Sequence, residues 1–155
     1  MYGGSVTQSL GFSEAAEIKF KKGLIMQTVY DFLKKTGTYY LATIEGDQPR
    51  VRPFGTINFF DGKLYIQTGK KKDVVKQINV NSRVELSAFD GQTWIRVAAT
   101  LVEDNRPEAQ ESLLAAYPQL RAMYAVNDGN NVVYYLKDAT ATFYAFGGES
   151  KVVRF

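Results

Sequence analysis

The spacing of apolar residues divides the chain into an opening helix, a run of short strands and two later helical stretches. Met26, Val29, Phe32 and Leu33 recur at helical spacing, and Gly37 follows as a C′ stop. Tyr39–Ile44 reads as a strand, closed by the turn Glu45-Gly46-Asp47. Arg50–Phe60 is predicted as a second strand. Asp61-Gly62 behind it is a strong hairpin signal, with Lys63–Thr68 as the returning strand. Val74, Val75 and Ile78 predict a short helix after Lys70–Lys72. Val84–Phe89 and Trp94–Val102 form another hairpin across Asp90-Gly91. Pro107 suits the first turn of a helix through Leu113, Leu114 and Tyr117, which Pro118 ends or bends. Val132–Leu136, Ala139–Phe146 and Val152–Phe155 are the remaining strands.

These elements predict a mainly β fold, an antiparallel barrel of six or seven strands with peripheral helices. Strands and helices do not alternate regularly, which argues against a doubly wound sheet. Before Met26 the pattern changes. Met1–Phe12 is rich in Gly, Ser and Gln without a period, and Ile18–Ile25 carries Lys19, Lys21 and Lys22. The expected division is a tail or N-terminal extension over residues 1–25 and a single domain over 26–155. Lys21-Lys22-Gly23 can be encoded by a purine-rich run like a ribosome-binding site, so Met26 is a candidate true start. The alternative is a real docking segment. Mass spectrometry of the native protein distinguishes the two, and an intact Met1 would remove the first.

Composition narrows the chemistry sharply. Among 155 residues there is no histidine and no cysteine. That excludes Ser-His-Asp triads, cysteine nucleophiles, zinc fingers, thiolate iron–sulfur sites, His-ligated haem and disulfides. An enzyme with this composition relies on carboxylates, Lys, Tyr or Ser, or borrows its chemistry from a cofactor. The 14% aromatic content suits β-sheet and flat-ligand contacts. No apolar run approaches the roughly 18 residues of a membrane span, and no apolar segment of signal-peptide type opens the chain. A cytoplasmic protein without membrane association is the expectation.

Charge adds a location. The net charge of +3 is small, but Pro49–Lys76 holds seven cations against Asp61 and Asp73, a local +5 that leaves −2 for the rest. Strand alternation puts Arg50, Arg52, Phe54, Thr56 and Asn58 on one face. Two arginines on one face can fork onto a phosphate or carboxylate; the plainer reading is a solvated strand end. Lys70, Lys71 and Lys72 precede a helix start, where cations are unfavourable unless an anion is bound; the plainer reading is a polar loop. Pairing of Arg50–Phe60 with Lys63–Thr68 is expected to bring the two basic groups onto one surface. Trp94 shares a face with Arg96 and can either stack on a flat ligand or pack at a barrel rim. Glu103, Asp104, Glu108 and Glu111 read as surface around a helix start.

The run Pro49-Arg50-Val51-Arg52-Pro53-Phe54, then Asp61-Gly62-Lys63-Leu64-Tyr65-Ile66-Gln67-Thr68, then Lys70-Lys71-Lys72-Asp73 and Gln77-Ile78, resembles the FMN-binding split barrels related to pyridoxamine 5′-phosphate oxidase. The resemblance extends over roughly residues 26–155 and is closest to small bacterial members of undefined substrate. It implies a split β-barrel with FMN at a two-fold homodimer interface. Arg52, with Val51 and Pro53 around it, would meet the flavin and its phosphate, assisted by Arg50. Gln67 and Thr68 would lie near the phosphate or ribityl chain, Lys71 and Lys72 would close on the phosphate, and Trp94 would contact the flavin ring. The family's Ser-Arg-Lys after the threonine is absent, and Lys70–Lys72 occupy nearby positions. True oxidases of the family carry an Arg/His-rich C-terminal segment. This chain ends Gly148-Glu149-Ser150-Lys151-Val152-Val153-Arg154-Phe155, which argues against pyridoxamine phosphate oxidation.

The functional expectation is an FMN-dependent oxidoreductase acting on an unknown small molecule, with no side chain identified as catalytic acid or base and no metal site. A flavin carrier or sensor without turnover is the first alternative. A nucleic-acid-binding barrel is the second; its basic groups gather like one phosphate site rather than a backbone track.

Overall fold

A computed structural model describes residues 13–155, so Met1–Phe12 of the expected tail lies outside the described part. Ser13 caps the first helix, α1 (Glu14–Thr36), its hydroxyl accepting from the Ala16 amide at 3.3 Å. The helix therefore starts well before Met26, and the expected boundary between residues 25 and 26 falls inside it. The reason is physical. Apolar periodicity reports packing, and only Met26, Val29 and Leu33 of α1 are buried. The earlier turns are held by the cap and by Glu14 and Glu17 in the favourable first turn. Gly37, at φ 72°, ends the helix as the sequence predicts.

Eight antiparallel strands follow. They are β1 (Tyr39–Glu45), β2 (Gln48–Phe54), β3 (Asn58–Phe60), β4 (Lys63–Gly69), β5 (Arg83–Phe89), β6 (Thr93–Glu103), β7 (Asn131–Ala145) and β8 (Lys151–Arg154). Between them lie α2 (Asp73–Val80), α3 (Pro107–Ala116) and a 3-10 turn over Pro118–Ala122. The strand order is β2-β1-β5-β6-β7-β4-β3, with β8 paired to β7. Laid flat, the edge strands β2 and β3 would stand roughly 29 Å apart, at about 4.8 Å per strand spacing. Only Gly55, Thr56 and Ile57 join them, a link that reaches at most about 14 Å. The sheet must therefore curl until its two edges approach, which makes an antiparallel split β-barrel, mainly β with helices at its periphery.

Two sequence expectations change here. The predicted strand Arg50–Phe60 is broken at Gly55–Ile57, and its halves pair on opposite edges of the sheet. β2 pairs with β1 (Leu41 with Arg52, Thr43 with Arg50), whereas only β3 pairs with β4. Arg50 and Arg52 thus do not lie beside Lys63–Thr68, because the break carries the chain across the barrel seam. Conversely, Val132–Leu136 and Ala139–Phe146 are one strand. A bulge opposite Ala99 inserts one extra residue at Asp138, which sits at φ 50° and lets β7 bend without ending.

Alternation sorts the β4 side chains into two cores. Leu64 and Ile66 face the main barrel core with Leu86, Val97, Val132 and Tyr134, against which α1 and α2 pack. Tyr65 faces the other way, into a smaller cluster with Val133, Ala109, Leu113 and Tyr117 beneath α3. The seam is satisfied by side chains rather than a strand. The Tyr117 hydroxyl donates to the Ile57 carbonyl at 2.9 Å and accepts from the Ile57 amide at 2.9 Å. Tyr39 donates to the Thr56 carbonyl at 2.6 Å, and Thr56 Oγ1 accepts from the Gln67 amide at 3.0 Å.

Candidate functional site

The seam opens into a cavity of about 280 Å³. Pro53 and Gly55 form one side, Gln67 and Thr68 of β4 the floor, Lys72 the α2 end, and Tyr117, Met123 and Tyr124 the wall beyond α3. Four of the residues singled out from sequence, Pro53, Gln67, Thr68 and Lys72, thus meet in one place. Each is brought by a local feature: the end of β2, the end of β4, and the turn into α2.

The turn into α2 gathers backbone amides and lysines. Lys72 is the N-cap of α2 and supplies no side-chain cap hydrogen bond. The Val75 amide turns to the Lys72 carbonyl at 3.1 Å, in place of the side-chain acceptor that Ser, Thr, Asn or Asp would give. Gly69 allows a close approach behind the turn: a Cβ there would stand 2.9 Å from the Tyr124 hydroxyl. Asn130 fixes the turn from the opposite loop, its carbonyl accepting from the Lys70 amide at 2.7 Å and its Oδ1 from the Lys71 amide at 3.3 Å. Lys70 turns away to Glu103, 2.9 Å distant. Lys71 and Lys72 are exposed and make no ion pair among the described residues.

Gln67 is buried and oriented by two acceptors, the Thr68 carbonyl at 3.1 Å and Asn131 Oδ1 at 3.0 Å. Asn131 Nδ2, also buried, has no hydrogen-bond partner among the described residues.

Arg52 does something different from forking onto an anion with Arg50. Its guanidinium donates to the Leu41 carbonyl at 3.2 Å, Thr43 Oγ1 at 2.6 Å and Gln77 Oε1 at 2.5 Å. Thr43 in turn donates to Gln77 at 2.5 Å. The knot ties β2, β1 and α2 together and so positions the helix whose start faces the cavity. Burial, then repulsion from Arg50, lowers the Arg52 pKa, and Glu45 opposes this. Arg50 itself pairs with Glu45 at 2.7 Å on the exposed side of β1.

Val51 stands 67% exposed on the outer sheet face. Trp94 pairs with Tyr144 near the far end of β7, whereas Thr68 pairs with Val132 near its start. Within one chain, Trp94 does not join the cavity. Tyr144 stacks on its ring at 5.1 Å and 8°, Phe146 tilts against it at 5.0 Å, and Arg96 reaches the Tyr144 hydroxyl.

Sequence reasoning missed Tyr117, Met123 and Tyr124 as cavity residues, and Gly69 as the glycine that admits Tyr124. Gly69 did carry a signal, since a glycine closing a strand marks a close approach. Asp104 was also misread as surface. It is buried, accepts from Tyr65 at 2.7 Å and from Arg106 at 2.8 Å, and these bonds hold its carboxyl well below the usual range. Among the described residues no group of His, Cys, Asp or Glu could hold a metal ion.

The fold and site thus define a split barrel with a cavity at its seam, next to the lysine-bearing turn into α2. A family model described as pyridoxamine 5′-phosphate oxidase matches residues 25–126, and the chain belongs to that oxidase-related family. Among solved structures, a NimC/NimA family protein from Clostridium acetobutylicum is 41% identical, with a TM-score of 0.78 over 83% of this chain and 93% of that one. General stress protein 26 from Bacillus anthracis is 16% identical, with a TM-score of 0.67 over 84% and 98%. A heme binding protein from Mycobacterium smegmatis is 13% identical, with a TM-score of 0.60 over 94% and 60%. The last two share the fold alone. No curated protein matches the chain.

Proposed function

We propose that this protein is an FMN-binding flavoprotein, a homodimer with FMN at the subunit interface, acting in the cytoplasm as an oxidoreductase on a small molecule. The observation that carries the reading is the convergence of Gln67, Thr68 and Lys72 with a helix start lacking a side-chain cap at one cavity. Such a start favours phosphate through its amides and its partial positive charge. The residues fit the phosphate end of FMN: Lys72 and Lys71 supply charge, Thr68 and Gln67 supply polar contacts, and Arg52 holds α2 in place. Pro53 lines the cavity and Val51 follows it on the same face of β2, where the flavin body would continue, whereas Arg50 pairs with Glu45 on the other face. When bound, the flavin supplies hydride or electron transfer.

The dimer is supported by the outer sheet face. Tyr40 and Val51 are exposed there at 53% and 67%, beside the small residues Ala42 and Ala98, and the Glu85–Arg96 ion pair lies in register with them. Large apolar residues exposed beside charged ones suit a subunit contact. On this reading Trp94 contributes to the partner's flavin pocket rather than its own.

A heme reading has less support, because the chain has no histidine or cysteine to ligate iron. A flavin carrier or sensor remains the second reading, separated from the first by turnover with a reduced nicotinamide donor.

FMN titration followed by flavin fluorescence tests the proposal. Saturable uptake is expected, weakened about tenfold or more by Arg52→Ala combined with Lys72→Ala, a loss of roughly 1.4 kcal/mol. Absence of uptake by the wild type sinks the reading. Salt-sensitive binding to single-stranded oligonucleotides without flavin uptake would turn it towards nucleic acid.

A further inference from the structure

A second recess lies between the first half of α1 and the β7–β8 edge and shares no lining residue with the seam cavity. A groove of about 510 Å³ has Ile18, Ile25, Ala139 and Phe155 as its apolar surface and Lys21, Lys22 and Arg154 as its cationic one. At one end it adjoins an apolar recess of about 370 Å³, which shares Ile25 and adds Leu24, Thr28, Phe143 and Val153, with Lys151 at the rim. Beside it, a recess of about 280 Å³ shares Lys22 and Phe155 and adds Tyr135 and Lys137. The first two form a trough along α1. From Ile18 to Thr28 the helix rises roughly 15 Å.

Cations gather around the trough. Lys21, Lys22, Lys137, Lys151 and Arg154 make no ion pair among the described residues, as Lys71 and Lys72 at the seam make none. Asp138, at the β7 bulge, is the one acidic side chain lining the trough. These cations are exposed and free to meet an anionic headgroup, while the apolar floor beside them suits an attached hydrocarbon chain rather than a small inorganic anion. A membrane surface needs a projecting face, whereas this feature is concave.

We propose that the trough binds a free single-chain anionic amphiphile, a fatty acid, with its chain along Ile25, Phe143 and Val153 and its carboxylate among Lys21, Lys22 and Arg154. Charge complementarity and the elongated apolar floor argue for this occupant. The site is separate from the flavin cavity and does not depend on the flavin reading.

Displacement of a fluorescent fatty acid by laurate, measured on the full chain, tests the site. Laurate is expected to compete, dodecanol and dodecyltrimethylammonium to compete at least about tenfold less well, and Lys22→Glu with Arg154→Glu to weaken laurate by a similar factor. Thr28→Trp, which fills the apolar end, is expected to weaken laurate more than octanoate while FMN uptake stays unchanged. No binding of laurate, equal binding of the cationic amphiphile, or an unaltered affinity in the charge-reversed chain would each overturn the proposal. So would association with anionic vesicles but not with monomeric laurate, or masking of the trough by self-association.

Discussion

A single tyrosine hydroxyl does much of the work at the barrel seam. Tyr117 uses its one proton on the Ile57 carbonyl and accepts from the Ile57 amide and Lys34 Nζ, so its bonding capacity is full. Its hydrogen bond also raises the Lys34 pKa. Tyr117→Phe leaves a buried amide and carbonyl unpaired and is expected to cost about 2–3 kcal/mol in chemical denaturation; an unchanged midpoint would show that water replaces the hydroxyl freely. Gly69→Ala acts through space instead. Its Cβ would meet the Tyr124 hydroxyl, so the expected result is weaker FMN uptake with a nearly unchanged melting temperature. Equal uptake would separate Tyr124 from the cavity. At this scale the sequence was informative about residue type but not about partners. Arg52 was legible as a special arginine, yet its acceptors Thr43 and Gln77 lie on separate elements that no spacing rule connects.

Among the elements, α2 and the β2–β3 break matter most. α2 is short, with eight residues, too short to be stable by propensity. It is held by Val74, Val75 and Ile78 in the core and by the Arg52–Gln77 bond. Arg52→Lys keeps the charge but loses the planar fork. It is expected to lower stability by about 1–2 kcal/mol and to weaken flavin uptake; retention of both would make Arg52 an exposed strand residue after all. Pro53 and Gly55 carried a signal for the break at Gly55–Ile57, but the curl that separates the two halves is set by the whole sheet. The hairpin at Asp61-Gly62 was legible because both residues take positive φ, 48° and 70°, which this residue pair favours. At the β7 bulge, Asp138→Val puts a β-branched residue at positive φ and is expected to destabilise by about 1–2 kcal/mol.

For the whole molecule, the uneven charge and the absence of histidine have consequences that can be measured. Burial raises the pKa values of Tyr39, Tyr65 and Tyr134, the last to about 12. Their contribution is therefore complete below roughly pH 10 and is lost as pH rises through the folded values. Asp90, through backbone hydrogen bonds, and Asp104, through Arg106, are lowered, so their contribution is present above roughly pH 4 and lost as pH falls. With no histidine between, melting temperature is expected to be nearly flat from about pH 5 to 9; a step near neutrality would reveal a titrating group this account lacks. Barrel class, hairpins and the turn into α2 were legible locally. The seam, the Arg52 knot and the α1 trough arise only when distant segments meet.

The central claim is that the seam cavity belongs to FMN. The absorbance spectrum of the purified protein, before and after incubation with FMN and removal of the excess, tests it most directly. The account predicts a protein-bound flavin band, present at purification or acquired on incubation, and much reduced in the Arg52→Ala, Lys72→Ala chain. A colourless wild-type protein that acquires no flavin band after incubation would contradict it.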